Sequence, residues 1–245
     1  MRRRRFLYAG ITLIALALYF VWTGRSEPIH VPDDVPVVAL PLEATMKSLR
    51  SPGHDQFAFD LAVVDPYSHH TLNVSRLHHA VGGTNVTRSY SWEQPVVSPV
   101  EGTVIRASDG WPDRISLHLI RDTFAMVFSR PGLDPDDIRP FAGNYVIIRA
   151  SNFFVFLAHL KEGSLEVDEG DVVARGDKVG RIGNSGLSLE PHLHFELFDS
   201  AENLLEAETV PFVIDEYERW TGNSWELMQL EPLGKGQVLR SVLRD

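Results

Sequence analysis

The sequence predicts a mainly β chain, an antiparallel β-sheet or sandwich carried behind an N-terminal transmembrane helix. Three observations predict it. Short β-rich runs recur through the middle of the chain, punctuated by Gly, Pro and Asn turns, which is the pattern of an antiparallel sandwich or barrel. One of these runs, residues 192–197, alternates strictly between polar and apolar side chains, as a strand does when one face lies on a core. An uncharged apolar run, Phe6 to Gly24, stands ahead of them all, behind four arginines.

The 245 residues suffice for one domain of ordinary size with appendages, and an apolar content of 44% supports a packed core. The chain has no cysteine. Disulfides, thiolate metal sites and thiol nucleophiles are therefore excluded, and any metal site must use His, Asp or Glu. The formal net charge is −10, yet Arg2, Arg3, Arg4, Arg5 and Arg25 are the only charged side chains before Glu27. The rest of the chain is thus more acidic than the total suggests. Nucleic acid is not an expected partner, because phosphate contact needs a basic face.

As a helix, Phe6–Gly24 is about 28 Å long, close to the hydrocarbon thickness of a bilayer. The preceding arginines put the N-terminus in the cytoplasm and the remainder outside. The rival reading is a cleaved signal peptide. Bulky Phe20, Val21 and Trp22 stand where small residues precede a cleavage site, which favours an uncleaved anchor. Residues 1–25 are read as arginine cluster and anchor. Residues 26–36 carry Pro28, Pro32 and Pro36 and form a stalk. The main domain is placed at 37–213 and 214–245 is left as a C-terminal extension, although Asn203–Phe212 and Tyr217–Trp225 read as a closing segment packed on the sheet.

Within the domain, Phe57–Val64 is an apolar run interrupted by Asp60. A carboxylate there is costly to bury unless it binds a cation or several donors; a buried acid satisfied by backbone amides is the plainer alternative. Residues 67–90 are polar, read as a solvated loop, and hold His69, His70, His78 and His79. Residues 96–104 read as strand, tight turn, strand. Residues 109–142 read as an insertion beside a cleft, with a short helix or strand pair over 115–128 and a loop over 131–137. Tyr145–Arg149 and Phe153–Leu157 are β-rich, with Ser151-Asn152 able to turn between them, and the second run ends in Ala158-His159-Leu160. Residues 167–182 are short strands broken by glycines. Within them Val172–Ile182 resembles a biotinyl or lipoyl carrier, but such a carrier needs an exposed lysine at a hairpin tip and Lys178 lies inside a strand pattern.

The most informative stretch is Gly183–Phe198. A glycine-bracketed turn, Gly183-Asn184-Ser185-Gly186, is followed by Pro191 and then by alternation: His192, His194 and Glu196 on one face, Leu193, Phe195 and Leu197 on the other. Two imidazoles on one strand face can divide roles, one binding a metal and the other moving a proton at a bound water.

Gly-Asn-Ser-Gly followed by Pro-His-Leu-His-Phe resembles the signature of the lysostaphin-like (LytM-type) zinc metalloendopeptidases, which cut peptide bonds in bacterial cell-wall peptidoglycan. The resemblance implies a Zn2+ cofactor, with His194 as a ligand and His192 as a catalytic residue. It also implies Asp60 as a ligand and His159 as catalytic, since the family has an Asp in such a strand and a Tyr-x-His-Leu at such a strand end. The sequence departs from the family at two points. Leu157 replaces the Tyr, and Gln56 stands where the first histidine ligand lies, four residues before Asp60. Catalytic zinc usually has three protein ligands. His54 is the nearest substitute, on the same strand parity as Asp60 but roughly 20 Å away along a straight strand, so the chain must bend between them. His69, His70, His78 and His79 are the alternatives.

The expectation is a membrane-anchored zinc endopeptidase acting on peptidoglycan at the outer face of the cell membrane or in the periplasm. The alternative is a catalytically inactive domain of the same fold that binds peptidoglycan or activates another cell-wall hydrolase.

Overall fold

A computed structural model of the chain describes residues 31–49, 55–75, 78–79, 83–119, 121–123, 134 and 136–242. The expected anchor, most of the stalk's first half and His54 lie outside these residues. Among the described residues no helix is long and apolar enough to cross a membrane.

The strands, in chain order, are β1 (Val37–Val38), β2 (Thr45–Leu49), β3 (Phe59–Val63), β4 (Thr84–Asn85), β5 (Pro95–Val97), β6 (Gly102–Ser108), β7 (Ser116–Leu117), β8 (Asn144–Arg149), β9 (Phe154–Leu160), β10 (Val172–Val173), β11 (Lys178–Arg181), β12 (Leu193–Phe198), β13 (Val213–Trp220), β14 (Trp225–Glu231) and β15 (Val238–Arg240). One short helix, α1 (Arg139–Ala142), precedes β8. Eleven strands join one sheet in the order β1-β13-β15-β2-β3-β12-β9-β8-β6-β10, with β14 paired to β13. The mainly β, largely antiparallel expectation is met. The pairing of β1 with β13 is parallel, which makes the sheet mixed.

The alternation read at 192–197 organises the packing. On β12, Leu193, Phe195 and Leu197 join the main core together with Phe59 and Leu61 of β3 and Leu157 of β9. Phe212 closes that core, its ring centroid 5.1 Å from Phe195 and 5.7 Å from Phe59 in an edge-on contact. The other face of β12, with His194 and Glu196, is also buried. A strand covered on both faces can hold polar groups only where partners await them.

Three strands come from the segment read as a C-terminal extension. β13 begins at the expected boundary, and β15 inserts between β13 and β2. Tyr217, Leu233 and Leu239 are fully buried in the main core. The reason is pairing at long range: β2 needs a partner on the side away from β3, and the chain's last strand supplies it. In the expected insertion, β7 pairs with β4 as a small separate sheet. A helical turn follows at 121–123, and residues 124–133 are outside the described set.

Candidate active site

The site is built on β3, β9 and β12. Asp60 and His194 are direct partners in the antiparallel β3–β12 ladder, and His194 is also opposite Ala158 of β9. Residues directly opposite each other share a sheet face, so Asp60 and His194 meet although 134 residues separate them. His194 Nδ1 lies 3.0 Å from Asp60 Oδ1, and His192 Nε2 lies 3.4 Å from the same oxygen.

His159 reaches this face by a local irregularity. Ala158 already faces His194, so regular alternation would send His159 to the opposite side. Between the pairs Asn144↔Leu160 and Tyr145↔Ala158 the register slips by one, leaving His159 without a partner. Its φ is +62°, in the left-handed region. This is a β-bulge that re-aims one side chain. The imidazole comes to rest with its centroid 4.8 Å from that of His192 and 6.1 Å from that of His194.

Both flanking rings are fixed by backbone carbonyls. His159 Nδ1 donates to Ser185 O at 3.0 Å, and His192 Nδ1 donates to Glu190 O at 2.8 Å. Each therefore carries its Nδ1 proton and keeps Nε2 for the site. His194 differs, since its Nε2 is 3.1 Å from Glu196 Oε2, and Glu196 in turn accepts from Thr209 Oγ1. Burial alone raises the Asp60 carboxyl, but the charges and hydrogen bonds of His192 and His194 outweigh it and hold it well below its usual range. Burial lowers His194, and Asp60 and Glu196 overcome that and bring it to about 9. His192 is raised, Asp60 outweighing burial. Burial holds His159 well below the ordinary histidine value, with His192 and His194 adding to the effect.

The support beneath His159 is a buried polar network. Asn144 Nδ2 donates to Trp111 O at 2.8 Å and to Leu160 O at 3.0 Å, Asn144 Oδ1 accepts from Trp111 N at 2.7 Å, and Asn144 N donates to Ser185 Oγ at 3.0 Å. Ser185 Oγ donates to Leu160 O at 2.7 Å. Asp113 accepts from the backbone N–H of Asn184 and of Glu162. The glycine turn interlocks with this network. Gly186 has φ +67°, and a Cβ there would sit 2.3 Å from Gly143 N and 2.4 Å from Phe141 O. Asn144, Ser185, Asp113 and Glu196 were not assigned functions from the sequence. Ser185 and Glu196 stand inside the motif, whereas Asn144 and Asp113 carry no local signal.

The four expected residues Asp60, His159, His192 and His194 are brought together. The substitutes are not: His69 is turned into Trp220 and Trp225, with ring centroids at 5.6 and 6.4 Å. His79 is bonded to Thr84 Oγ1 at 3.3 Å, and His70, His78 and Gln56 are exposed. His54 lies outside the described residues. Among the described residues no group of three or more His, Asp or Glu side chains is set out to hold a metal ion. His192 and His194 are instead drawn onto the Asp60 carboxylate. The donor set nonetheless suits zinc: bonds of about 2.1 Å in a tetrahedron put donor atoms about 3.4 Å apart, near the 3.0 Å between Asp60 Oδ1 and His194 Nδ1. Asp60 and His194 could thus offer two donors to such an ion.

Residues 134–205 match the model of peptidase family M23. The peptidoglycan DD-endopeptidase ShyA of Vibrio cholerae is 41% identical over 58 residues, which is 24% of this chain and 13% of that protein. The peptidoglycan DD-endopeptidase ShyC of the same organism is 28% identical over 126 residues, 51% of this chain and 23% of that protein. The chain thus spans less than a quarter of either relative. Among solved structures, the catalytic domain of lysostaphin from Staphylococcus simulans aligns over 78% of this chain and 91% of its own, at 14% identity and a TM-score of 0.36.

Proposed function

From the match of residues 134–205 to the model of peptidase family M23, we propose that the protein is a zinc metalloendopeptidase cutting peptide bonds in cell-wall peptidoglycan. The observation that carries the reading is the convergence of Asp60, His194, His192 and His159 on one buried spot. Asp60 and His194 would hold the ion, with His54 as the third ligand. Bound zinc supplies a lowered water pKa and a polarised scissile carbonyl.

The remaining work belongs to the chain. Asp60, kept ionised by its histidine neighbours, balances charge in the site. Glu196 holds the far nitrogen of His194 and so orients the ring. His159 and His192, each with Nδ1 tied to a carbonyl, present Nε2 to the bound peptide. There one ring accepts a proton from the attacking water and the other donates to the developing oxyanion or the leaving amine. The bulge at His159 and the Asn144–Ser185 network fix that ring before substrate arrives, so little ordering is left for the reaction.

The deciding experiment incubates the full chain, purified in detergent, with peptidoglycan, with and without a chelator. The expected result is new amino termini in the fragments that disappear with chelator and return with added zinc. The second reading, an inactive peptidoglycan-binding or hydrolase-activating domain, draws on exposed Gln56 at the usual ligand position. It expects retention on peptidoglycan without stoichiometric zinc and without cleavage. The run Phe6–Gly24 and its arginines support a single-pass anchor with the domain on the outer or periplasmic side.

A further inference from the structure

Glu196 is a carboxylate set among apolar side chains. On β12 it stands between His194 and Phe198 on one strand face, opposite Phe156 of β9, and it is 8% exposed. Its ion-pair partner among the described residues is His194. An acid in such surroundings is tolerated only where its oxygens find donors. One donor is the His194 ring, whose Nε2 lies 3.1 Å from Oε2, and the other is the Thr209 hydroxyl, which donates to Oε1.

Thr209 is brought there by a loop that leaves β12 after Phe198 and folds back on it. The ends of the loop are tied by the bridge Phe198↔Thr209, by Val210 N donating to Leu197 O at 2.8 Å, and by Asp199 N donating to Glu208 O at 3.1 Å. Ala201, Leu204 and Ala207 pack on the apolar cluster that holds Tyr145, Phe156 and Phe198. The loop is thus fastened at its ends and along its flank. Thr209 lies outside the glycine-turn and histidine stretch and outside the residues that match the M23 model. The terminal torsion of a Glu side chain is soft, so one contact to His194 leaves the carboxylate able to turn about its axis. A second contact, to a β-branched side chain with few rotamers, fixes its plane and leaves Oε2 aimed at the ring.

We infer that Thr209 is a positioning residue for the metal centre, acting through Glu196 on His194; the link to zinc rests on the peptidase reading above. Glu196, held by Thr209, keeps the Nε2 proton of His194 and sets the plane of the ring. Nδ1, the nitrogen 3.0 Å from Asp60 Oδ1, is then the one offered to the ion, on the side that Asp60 shares. A hydroxyl that served only to satisfy a buried acid would stabilise the fold and leave the ring of His194 indifferent to its loss.

The test uses the full chain in detergent, stripped of metal, and two readouts. The first is zinc affinity, measured by competition with a chelator of known strength. Thr209→Val, which keeps the shape and removes the hydroxyl, should bind zinc about tenfold more weakly. Thr209→Ser, which keeps the hydroxyl, should restore the affinity. Glu196→Gln should weaken zinc at least as much, and adding Thr209→Val to it should cost nothing further, because the threonine acts through the glutamate. The second readout is the proton resonance of His194 Nε2–H in the metal-free chain, identified by its absence in His194→Ala. It should be sharp in the unchanged chain and in Thr209→Ser, and lost to exchange with water in Thr209→Val. Unchanged zinc affinity with the resonance intact in Thr209→Val overturns the inference, as do additive losses in the double variant. An unchanged chain that binds no zinc overturns the peptidase reading instead, and the resonance then decides the role of Thr209 by itself: its persistence in Thr209→Val refutes the positioning, and its loss upholds it.

Discussion

His159 shows how much one backbone angle decides. At φ +62° an L-residue costs of order 1–3 kcal/mol, and the site keeps that cost because the bulge turns the imidazole to the face of His192. The division of roles among the histidines is testable by metal content. His194→Ala and His54→Ala should each lose zinc and activity together, because a ligand is gone. His159→Ala and His192→Ala should keep most of the zinc and lose turnover. Near-full zinc in His54→Ala would move the third ligand to another residue, and equal zinc loss in all four would abolish the division. A second prediction concerns Asn144. Its fully buried side chain makes three hydrogen bonds to backbone, and truncation removes all three. Asn144→Ala should cost about 2–4 kcal/mol in chemical denaturation, and the surviving folded fraction should have reduced kcat because His159 loses its support.

At the scale of elements, β15 is the unexpected piece. It closes the gap between β13 and β2, and its neighbour β13 brings Tyr217 into the core, where burial raises the phenol to about 12. A chain ended at residue 213 loses β13, β14 and β15, exposes the edge of β2, and removes Tyr217, Leu233 and Leu239 from the core. Large apolar side chains contribute roughly 1.5–3 kcal/mol each on burial, and domains are stable by only about 5–15 kcal/mol. The truncated chain is therefore expected to aggregate or to lack a cooperative thermal transition. A sharp melt near that of the full chain would show that the C-terminal strands are dispensable. The β13–β14 hairpin ends in a cross-strand Trp220–Trp225 pair, ring centroids 5.3 Å apart, with Arg240 stacked 4.3 Å from the Trp225 ring. These contacts hold the tip of the hairpin against β15.

For the whole molecule, the proposed anchor sets which side of a membrane the histidine site faces. The arginine cluster and the apolar run predict that protease added to spheroplasts digests the β domain. Protection of the domain until the membrane is broken would reverse the topology.

The sequence by itself determined which side chains share a face on β12, because alternation is a property of each strand alone. It also determined the glycine turn and the mainly β class, since turn residues and β-branched runs act locally. It placed Asp60 as an acid in need of partners, because an isolated carboxylate in an apolar run is a local anomaly. Only the tertiary structure decided who those partners are, since the Asp60–His194 pairing closes across 134 residues and no local period encodes it. The bulge that redirects His159 depends on a one-residue slip against β8, and slips are set by packing on the neighbouring strand. The same holds for Asn144 under the site and for β15 between β13 and β2. Each is a register between distant segments, fixed by burying both faces of the sheet at once.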